Sequence, residues 1–542
     1  MKKSIILAIL GLMPTAMMAQ GAIDAYTLSQ SDLRGTARYM SMAGAFGALG
    51  GDLSTLNQNP AGIGVYRKSE VGVTLNLDFQ NSSTVAQGFK MTDSQTKFSF
   101  NNFGYVGAAQ LDSEVMPFFT WGCTFSRVAQ FDRVFHGSIG SLNASLSNYQ
   151  AALANSYGCY ADEMNSTEYY NPYQSSYAPW SSILSYQAYM INPDSHGENF
   201  TGLMGDGTTG NSQFMMREKG YIDEYSINFG GNISDVVYWG IGVGITDLEY
   251  SKESWYDEEL QNAYVAAPET SQPDGNYYIV DGNAYYKLHN FLRTTGSGYN
   301  FKLGLIAKPI NELRIGFAVH TPTYYELTDS YYAGVNYSYE PNDMLYDIVE
   351  GYADTNNGVD GWSDYKLQTP WRMIASVAGV IGGRGILSFD YEYRGTNSMK
   401  MSDINGNEYY DVTADVENYY KSTNIIRLGG EYRITPQFSV RAGYSWQSSP
   451  VKDEVANDKV NVYTAGTIPS YTLDNTLQHI TAGIGYRSGG FYGDLAYVHR
   501  RRENTYHAFS PIVDNGNMLE ASPSAEVINS NNQIVLSIGY KF

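Results

Sequence analysis

Residues 71–79 read VGVTLNLDF, and apolar side chains alternate with small or polar ones along the whole stretch. Val71, Val73, Leu75, Leu77 and Phe79 hold the odd positions. Because successive side chains of a β-strand point to opposite faces, the stretch predicts a strand with one apolar and one polar face. A soluble sandwich strand alternates in the same way, so this segment alone leaves a soluble sheet and a membrane sheet open.

The same alternation returns in segments of about ten residues, which is the sequence pattern of transmembrane strands. Three further examples are residues 239–245, 313–319 and 387–393. We count about fourteen such segments, an even number as expected for a bacterial barrel. They start near residues 70, 98, 115, 222, 236, 295, 312, 369, 385, 423, 437, 476, 491 and 531.

The connections between these segments are short and long in turn. Short ones lie at residues 111–114, 233–235, 309–311, 382–384, 435–437 and 488–490. Long ones lie near residues 130–221, 253–294, 326–368, 399–422, 450–475 and 503–530. Tight periplasmic turns opposite large external loops are typical of outer-membrane barrels. Residues 70–542 are therefore predicted to form an antiparallel transmembrane β-barrel of about fourteen strands, which makes this an all-β membrane protein.

The N-terminal residues 1–19 have the features of a cleaved secretory signal peptide. Lys2 and Lys3 precede a short apolar run, and small residues end it at Ala19. The run is shorter than the roughly 20 residues that a transmembrane helix needs. Export and an outer-membrane location in a Gram-negative bacterium are expected.

Residues 20–69 separate the signal from the first strand, and glycine and alanine crowd together between Gly35 and Gly51. Small residues allow close packing in a confined space, so we expect this segment to fold into the lumen as a hatch. The alternative is a disordered periplasmic tail, for which the segment is too apolar.

The composition excludes several other functions. The formal net charge of −21 argues against nucleic acid as a partner, because phosphate binding needs clustered Lys and Arg. Two cysteines, Cys123 and Cys159, exclude a disulfide framework, leave a single bridge between them open and predict no metal site. No Gly-x-Ser-x-Gly elbow stands among the many serines. We expect neither an enzyme nor a cofactor.

The chain ends on Phe542, at the apolar parity of the last alternating segment. A terminal aromatic residue of this kind looks like the signal that the barrel-assembly machinery reads, and an ordinary last strand is the alternative. The last strand has to pair with the first, because an open edge in lipid leaves backbone groups unpaired at several kcal/mol each.

A resemblance to a known family begins in residues 20–69. The runs Gly35-Thr36-Ala37-Arg38 and Gly44-Ala45-Phe46, then Asp52, and above all Asn59-Pro60-Ala61, resemble the hatch of the FadL-type outer-membrane transporters of long-chain fatty acids and aromatic hydrocarbons. Asn59-Pro60-Ala61 matches the family's short signature, although Asn-Pro also marks any turn. The resemblance extends through barrel segments such as residues 298–305, 369–372 and 441–444, and it fails in the long loops.

The resemblance implies fourteen strands and passive uptake of a hydrophobic molecule. Substrate is captured between external loops, binds in the lumen, and leaves sideways through a wall gap beside an inward-kinked strand, while the hatch shifts. Uptake of haem or aromatic compounds is an alternative. A surface structural or adhesion barrel is another, and its lumen would hold no continuous apolar path.

Candidate ligand-binding cations follow from the strand parity. If the apolar parity faces lipid, the lumen receives the cations Lys302, Arg314, Arg372, Arg427 and Arg441 and the carboxylates Asp390, Glu392, Glu431 and Asp494. A cation there can hold a fatty-acid carboxylate. The alternative is that cations and carboxylates pair with one another to fill the barrel. Arg372 and Arg427 are the first candidates.

Two features of the long loops concern partners. Leu142, Leu146, Tyr149 and Leu153 have helical spacing, which predicts either an external capture helix or a packing helix. Residues 326–368 carry nine carboxylates against the single base Lys366, which predicts a solvated loop, or a surface that binds divalent cations and bridges lipopolysaccharide. Outer-membrane lipid is the expected surrounding, and a monomer is the expected state.

Overall fold

The structure is a computed structural model that describes residues 21–270, 277–464, 466–514 and 517–542. The expected signal peptide, residues 1–19, lies outside the described residues. Fourteen antiparallel strands form a closed barrel, as predicted. They are β1 (Glu70–Ala86), β2 (Phe89–Gln110), β3 (Phe118–Gln130), β4 (Thr209–Ile233), β5 (Val237–Pro268), β6 (Tyr277–Ile310), β7 (Leu313–His320), β8 (Arg372–Ile381), β9 (Gly385–Arg394), β10 (Thr423–Arg433), β11 (Phe438–Gln447), β12 (Tyr471–Ser488), β13 (Phe491–His507) and β14 (Ser524–Lys541).

The barrel closes between its last and first strands. β14 pairs with β1 in an antiparallel ladder from Lys541↔Glu70 to Glu526↔Val85. This ladder satisfies the backbone groups that an open edge would leave unpaired in lipid. Among the described residues, no helix combines the length and the hydropathy needed to cross a bilayer.

The remaining elements lie before β1 and in the long connections. The helices are α1 (Ala22–Leu28), α2 (Ala37–Ser41), α3 (Thr55–Gln58), α4 (Leu146–Ser156), α5 (Ala161–Met164), α6 (Pro172–Ser175), α7 (Trp180–Gln187), α8 (Tyr410–Tyr419) and α9 (Asp453–Ala456), with 3-10 turns at Pro60–Val65, Thr355–Gly358 and Thr396–Ser398. In addition to these fourteen strands, the chain forms the strands Arg133–Ile139, Asn192–Pro193, Phe200–Thr201, Tyr324–Pro341, Val349–Asp354, Gly361–Gln368, Lys400–Asp403, Ile512–Asp514 and Asn517–Glu520.

Strand β6 shows which face of the barrel is apolar. Phe301, Leu303 and Leu305 point outward and keep 48%, 60% and 53% of their surface exposed, whereas Asn300 and Lys302 point inward and keep 4% each. A soluble sheet buries its apolar face instead. An apolar exterior around a polar interior is the arrangement of a membrane barrel, so the alternative of a soluble sheet is wrong.

The long strands continue well past the apolar belt. β5 and β6 pair from Val237↔Ala307 to Pro268↔Tyr277, so most of residues 253–294, predicted as a loop, is paired strand. On the outward face of β5 the exposed Ile245 is followed, two residues on, by the exposed Asp247. The outward face turns polar at this point. The apolar alternation that identified residues 239–245 as a strand is therefore absent from the rest of β5.

The predicted acidic loop of residues 326–368 is also mostly strand. Tyr324–Pro341 pairs with β6 on one edge and with Gly361–Gln368 and Val349–Asp354 on the other. Asp329 is only 1% exposed, and its carboxylate accepts a hydrogen bond of 2.6 Å from Thr294 Oγ1. The expectation of an entirely solvated acidic loop is therefore wrong for this residue, because sheet pairing turns it inward.

Candidate functional site

The barrel lumen is filled by residues 21–69, which lie inside the ring of strands and are mostly buried. Asp390 of β9 holds them at the centre. Its Oδ2 accepts hydrogen bonds from Phe46 N (3.1 Å), Gly47 N (2.9 Å) and Gln58 Nε2 (3.0 Å). Arg38 adds an ion pair of 2.8 Å to Glu431 on β10. The prediction of an N-terminal hatch inside the lumen is confirmed.

The Asn59-Pro60-Ala61 motif is fixed against the wall by close packing. The Asn59 side chain accepts from Ala61 N (3.1 Å), which caps the 3-10 turn, and donates to Gly47 O (2.6 Å). A Cβ at Gly304 of β6 would lie 2.0 Å from Asn59 Oδ1, and one at Gly240 of β5 would lie 2.1 Å from Pro60 O. The lumen-facing glycines of the wall therefore make room for the hatch.

A cavity of about 70 Å³ lies between the hatch and the wall. Lys302, Arg372, Arg394 and Glu224 line it from the strands, and residues 28–31 line it from the hatch. Lys302 is ion-paired with Glu224. The structure thus brings together two predicted cations, Lys302 and Arg372, and adds Arg394.

One carboxylate, Glu392, holds the two arginines of this cavity, Arg372 and Arg394, and also Arg427, which does not line it. Its oxygens accept from Arg372 Nε (2.8 Å), Arg394 Nε (2.6 Å) and Arg427 Nη2 (2.6 Å). Glu392 can neutralise only one of these three positive charges. The Arg372 side chain is the most accessible of the three, with 26% of its surface exposed. The arrangement therefore leaves a cation that can take a further anion.

The other two predicted cations lie apart from this cavity. Arg441 pairs with Glu431 and with Asp494, at 2.6 Å in both cases, so its charge is matched within the wall. Arg314 lies at the short-turn mouth, where its Nη1 donates to Leu49 O at 2.6 Å. For Arg441 the alternative of internal pairing describes the geometry, and ligand binding by Arg314 stays a prediction.

A second lumen cavity, of about 60 Å³, is lined by residues that the sequence analysis missed. Arg500 pairs with Asp32 of the hatch at 2.9 Å, and Arg502 Nη1 donates to Gln30 Oε1 at 2.6 Å. Both arginines share the strand parity of the lumen-facing Asp494, so continuing that parity along β13 would have found them. Gln30 lines this cavity and the first one.

The wall has a seam between β2 and β3. Their ladder runs from Gln110↔Phe118 to Asn102↔Ser126 and ends there. Beyond it, β2 pairs with β1, whereas β3 and then Arg133–Ile139 pair with β4. A Cβ at Gly137 would lie 2.9 Å from Thr84 Cγ2 of β1, so this segment bends inward behind β2.

Two contacts close the seam, one ion pair and one hydrogen bond. Lys97 Nζ of β2 lies 2.8 Å from Asp132 Oδ1, and His136 Nδ1 lies 2.7 Å from Asp93 Oδ2. The register of β3 against β4 shifts between Arg127 and Ala129, which marks a bulge. Asp32 of the hatch donates its N–H to Val128 O in that bulge at 2.9 Å. The hatch thus contacts β3 at its bulge, which is the point where β3 leaves the barrel wall.

The predicted capture-helix residues pack into a core formed by the loops. Leu146 begins α4 and is fully buried, Leu142 precedes the helix and is buried, and Leu153 is half-buried. Tyr149 stacks on Phe509, with ring centroids 5.5 Å apart. Their role in capture stays a prediction.

Two other predicted features lie outside this region. Phe542 exchanges backbone hydrogen bonds of 3.0 Å with Ser69 and stacks on Tyr540, and its role as an assembly signal stays a prediction. Cys123 and Cys159 are both free thiols, so the bridge left open by the sequence is absent from the structure.

Solved structures of other proteins have a similar fold. The crystal structure of a Pseudomonas aeruginosa FadL homologue matches with a TM-score of 0.50 and 12% identity, over 94% of this chain and 99% of that one. This chain has the FadL fold. The Pseudomonas putida toluene transporter TodX (TM-score 0.45) and the Ralstonia pickettii toluene transporter TbuX (TM-score 0.44) each match at 14% identity, over 94% of this chain and 99% of theirs. At such identities the FadL likeness is one of fold. No family model and no curated protein matches the sequence.

Proposed function

We propose that this protein is a FadL-type passive transporter, which takes up long-chain fatty acids or similar amphiphilic molecules across the outer membrane of a Gram-negative bacterium. The observation that carries the proposal is the lumen cavity of Lys302, Arg372 and Arg394, set between a hatch and a closed membrane barrel. The FadL fold and the apolar outer belt support it. The long loops then face the exterior, and the short turns face the periplasm.

The charges of the cavity favour an amphiphile with an anionic head over a bare hydrocarbon. A carboxylate gains charge-assisted hydrogen bonds from Arg372, which Glu392 leaves accessible. A hydrocarbon has no charge to pair with, and it would desolvate these polar walls without replacing their contacts with water. The carboxylate head group of a fatty acid therefore suits this cavity better than toluene does.

The seam between β2 and β3 is our proposed lateral exit. Among the described residues, contacts that involve side chains, such as Lys97–Asp132, hold its two sides, and these cost far less to open than a backbone ladder in lipid. The hatch contact from Asp32 to Val128 connects a shift of the hatch to this seam. Movement needs no energy source, because cargo follows its concentration gradient.

Binding of radiolabelled oleate to the purified barrel in a neutral detergent tests the proposal. We expect Arg372→Gln to weaken binding about tenfold, the loss of one hydrogen bond to a charged group, and Arg372→Lys to keep most of it. Arg384→Gln is the matched control, because Arg384 is exposed on the turn between β8 and β9. Equal affinities for wild type and Arg372→Gln, with heat-modifiable mobility showing both folded, would overturn the lumen site.

A surface structural or adhesion barrel is the second candidate, and one observation favours it. At the loop end of the lumen, Phe214 stacks on Tyr506 and Phe135 meets both rings edge-on, in a core of buried apolar side chains that closes that end. A transporter must open this core, and an adhesion barrel need not. Spin labels on α4 and on the 505–509 segment separate the two, because only a transporter is expected to change their distance when oleate is added.

A further inference from the structure

The periplasmic mouth of the barrel contains a cavity of its own, of about 370 Å³. Five cations line it: Arg38, Arg67, Lys68, Arg314 and Lys541. No carboxylate is among the described residues that line it. The whole chain carries a formal net charge of −21, so this local excess of positive charge runs against its composition.

Three of these cations already have an anionic partner. Arg38 pairs with Glu431 (2.8 Å), Lys541 pairs with Glu70 (2.9 Å), and Arg67 pairs with Asp235. The other two, Arg314 and Lys68, have no carboxylate within ion-pair distance in the described part of the chain. Two positive charges at this mouth are therefore left for an anion from outside the chain.

Arg314 is the deeper of the two free cations. Its Nη1 donates to Leu49 O at 2.6 Å, which fixes the guanidinium at the cavity wall. Its Nε is buried and has no hydrogen-bond partner among the described residues. A buried donor without a partner destabilises the folded protein, and a bound anion removes that cost. Lys68 is exposed at the rim.

The rest of the cavity wall is apolar. Leu49 and Val65 come from the hatch, and Val380 and Ile386 come from β8 and β9. The ring of Tyr66 closes one side, with Lys541 Nζ 5.2 Å from its centre. A small inorganic anion would use only the cations, whereas an acyl or aryl group also covers this apolar surface.

We propose that this mouth cavity is a second binding site, for an amphiphilic anion whose carboxylate or phosphate head meets Arg314 and Lys68. Its apolar tail lies against Leu49, Val65 and Ile386. The site is separate from the lumen cavity, because the hatch lies between them, and it goes beyond the proposed uptake function. Such an anion has two sources, a free amphiphile and a phospholipid of the inner leaflet, which share this chemistry.

Isothermal titration of the purified full-length barrel with octyl phosphate and with octanoate tests the site. We expect Arg314→Gln to weaken binding about tenfold and Lys68→Gln about threefold, since Lys68 is exposed. Arg433→Gln, at the exposed end of β10 on the same side of the barrel, is the control and should bind as wild type does. The cation octyltrimethylammonium should not bind this site.

Dihexanoylphosphatidylglycerol replaces the free amphiphile in the second arm. Tighter binding than octyl phosphate, with the same loss in Arg314→Gln, assigns the site to lipid, and weaker binding assigns it to a free amphiphile. Because Lys68 is on the surface, Lys68→Gln keeps the test valid if Arg314→Gln fails to fold. Unchanged binding in Arg314→Gln and Lys68→Gln would overturn the site, whereas unchanged oleate binding in Arg372→Gln would overturn only the lumen proposal.

Discussion

Replacing Asp390 with alanine should release the hatch while leaving the barrel closed. Asp390 is fully buried and accepts three hydrogen bonds from the hatch, at 3.1, 2.9 and 3.0 Å. A hydrogen bond to a charged group contributes about 1.5–3 kcal/mol, and such contributions are not additive. We therefore expect the hatch to lose roughly 3–5 kcal/mol of its docking free energy.

Hydrogen exchange measured by mass spectrometry on the purified barrel gives the readout. A loss of 3 kcal/mol should speed exchange of peptides covering residues 44–59 by about 100-fold, while peptides of β1 and β14 keep their protection. Ser388→Ala is the matched control, because Ser388 lies two positions away on the same lumen face and its Oγ has no partner among the described residues. The reasoning is refuted if residues 44–59 stay protected in Asp390→Ala, or if Ser388→Ala exposes them equally.

Three further predictions concern the seam and the loops. A zero-length carbodiimide crosslink between Lys97 and Asp132 should stop oleate uptake, and Lys97→Gln should make uptake resistant to the reagent. Uptake that continues after the crosslink has been demonstrated would contradict the lateral exit. Burial raises the pKa of the Cys159 thiol to about 11, so iodoacetamide should modify it slowly at pH 8 and faster as pH approaches 11; rapid modification at pH 8 would show that the loop core is open. Burial also raises the pKa of Asp415 in α8 from 3.8 to about 6, so protonated Asp415 stabilises the folded loop fully below pH 3.8, and this contribution is lost as pH rises through 6. Proteolysis of the loop should therefore be slower at pH 4 than at pH 7. The difference between the two rates should shrink in Asp415→Asn.

The strand number and the lumen parity were predictable because lipid forces the outward face to be apolar. Leu303 and Lys302 therefore sort to opposite sides by position alone. The part of β5 that follows Asp247 could not be predicted in this way. Its outward face is polar there, and a stretch without apolar alternation resembles a loop. Arg394 was missed because it is the last residue of its strand, where the alternation that marks the lumen face ends.

The contacts between hatch and wall lie beyond what one sequence can show. Gly304 alternates correctly in its strand, but nothing local reveals that its missing Cβ receives Asn59. The seam depends on how distant segments pair. Only the register in the structure shows that the ladder between β2 and β3 ends at Asn102↔Ser126. The sequence did reveal the charges of the lumen, and the structure supplied their partners.

Uptake of radiolabelled oleate by a deletion strain, complemented with plasmid copies at matched surface levels, tests the central claim most directly. Wild type and Arg384→Gln should restore uptake, Arg372→Gln should restore about a tenth of it at limiting oleate, and an uncoupler of the proton gradient should leave the initial rate of entry into the periplasm unchanged. A deletion strain that takes up oleate as fast as the parent would contradict the account.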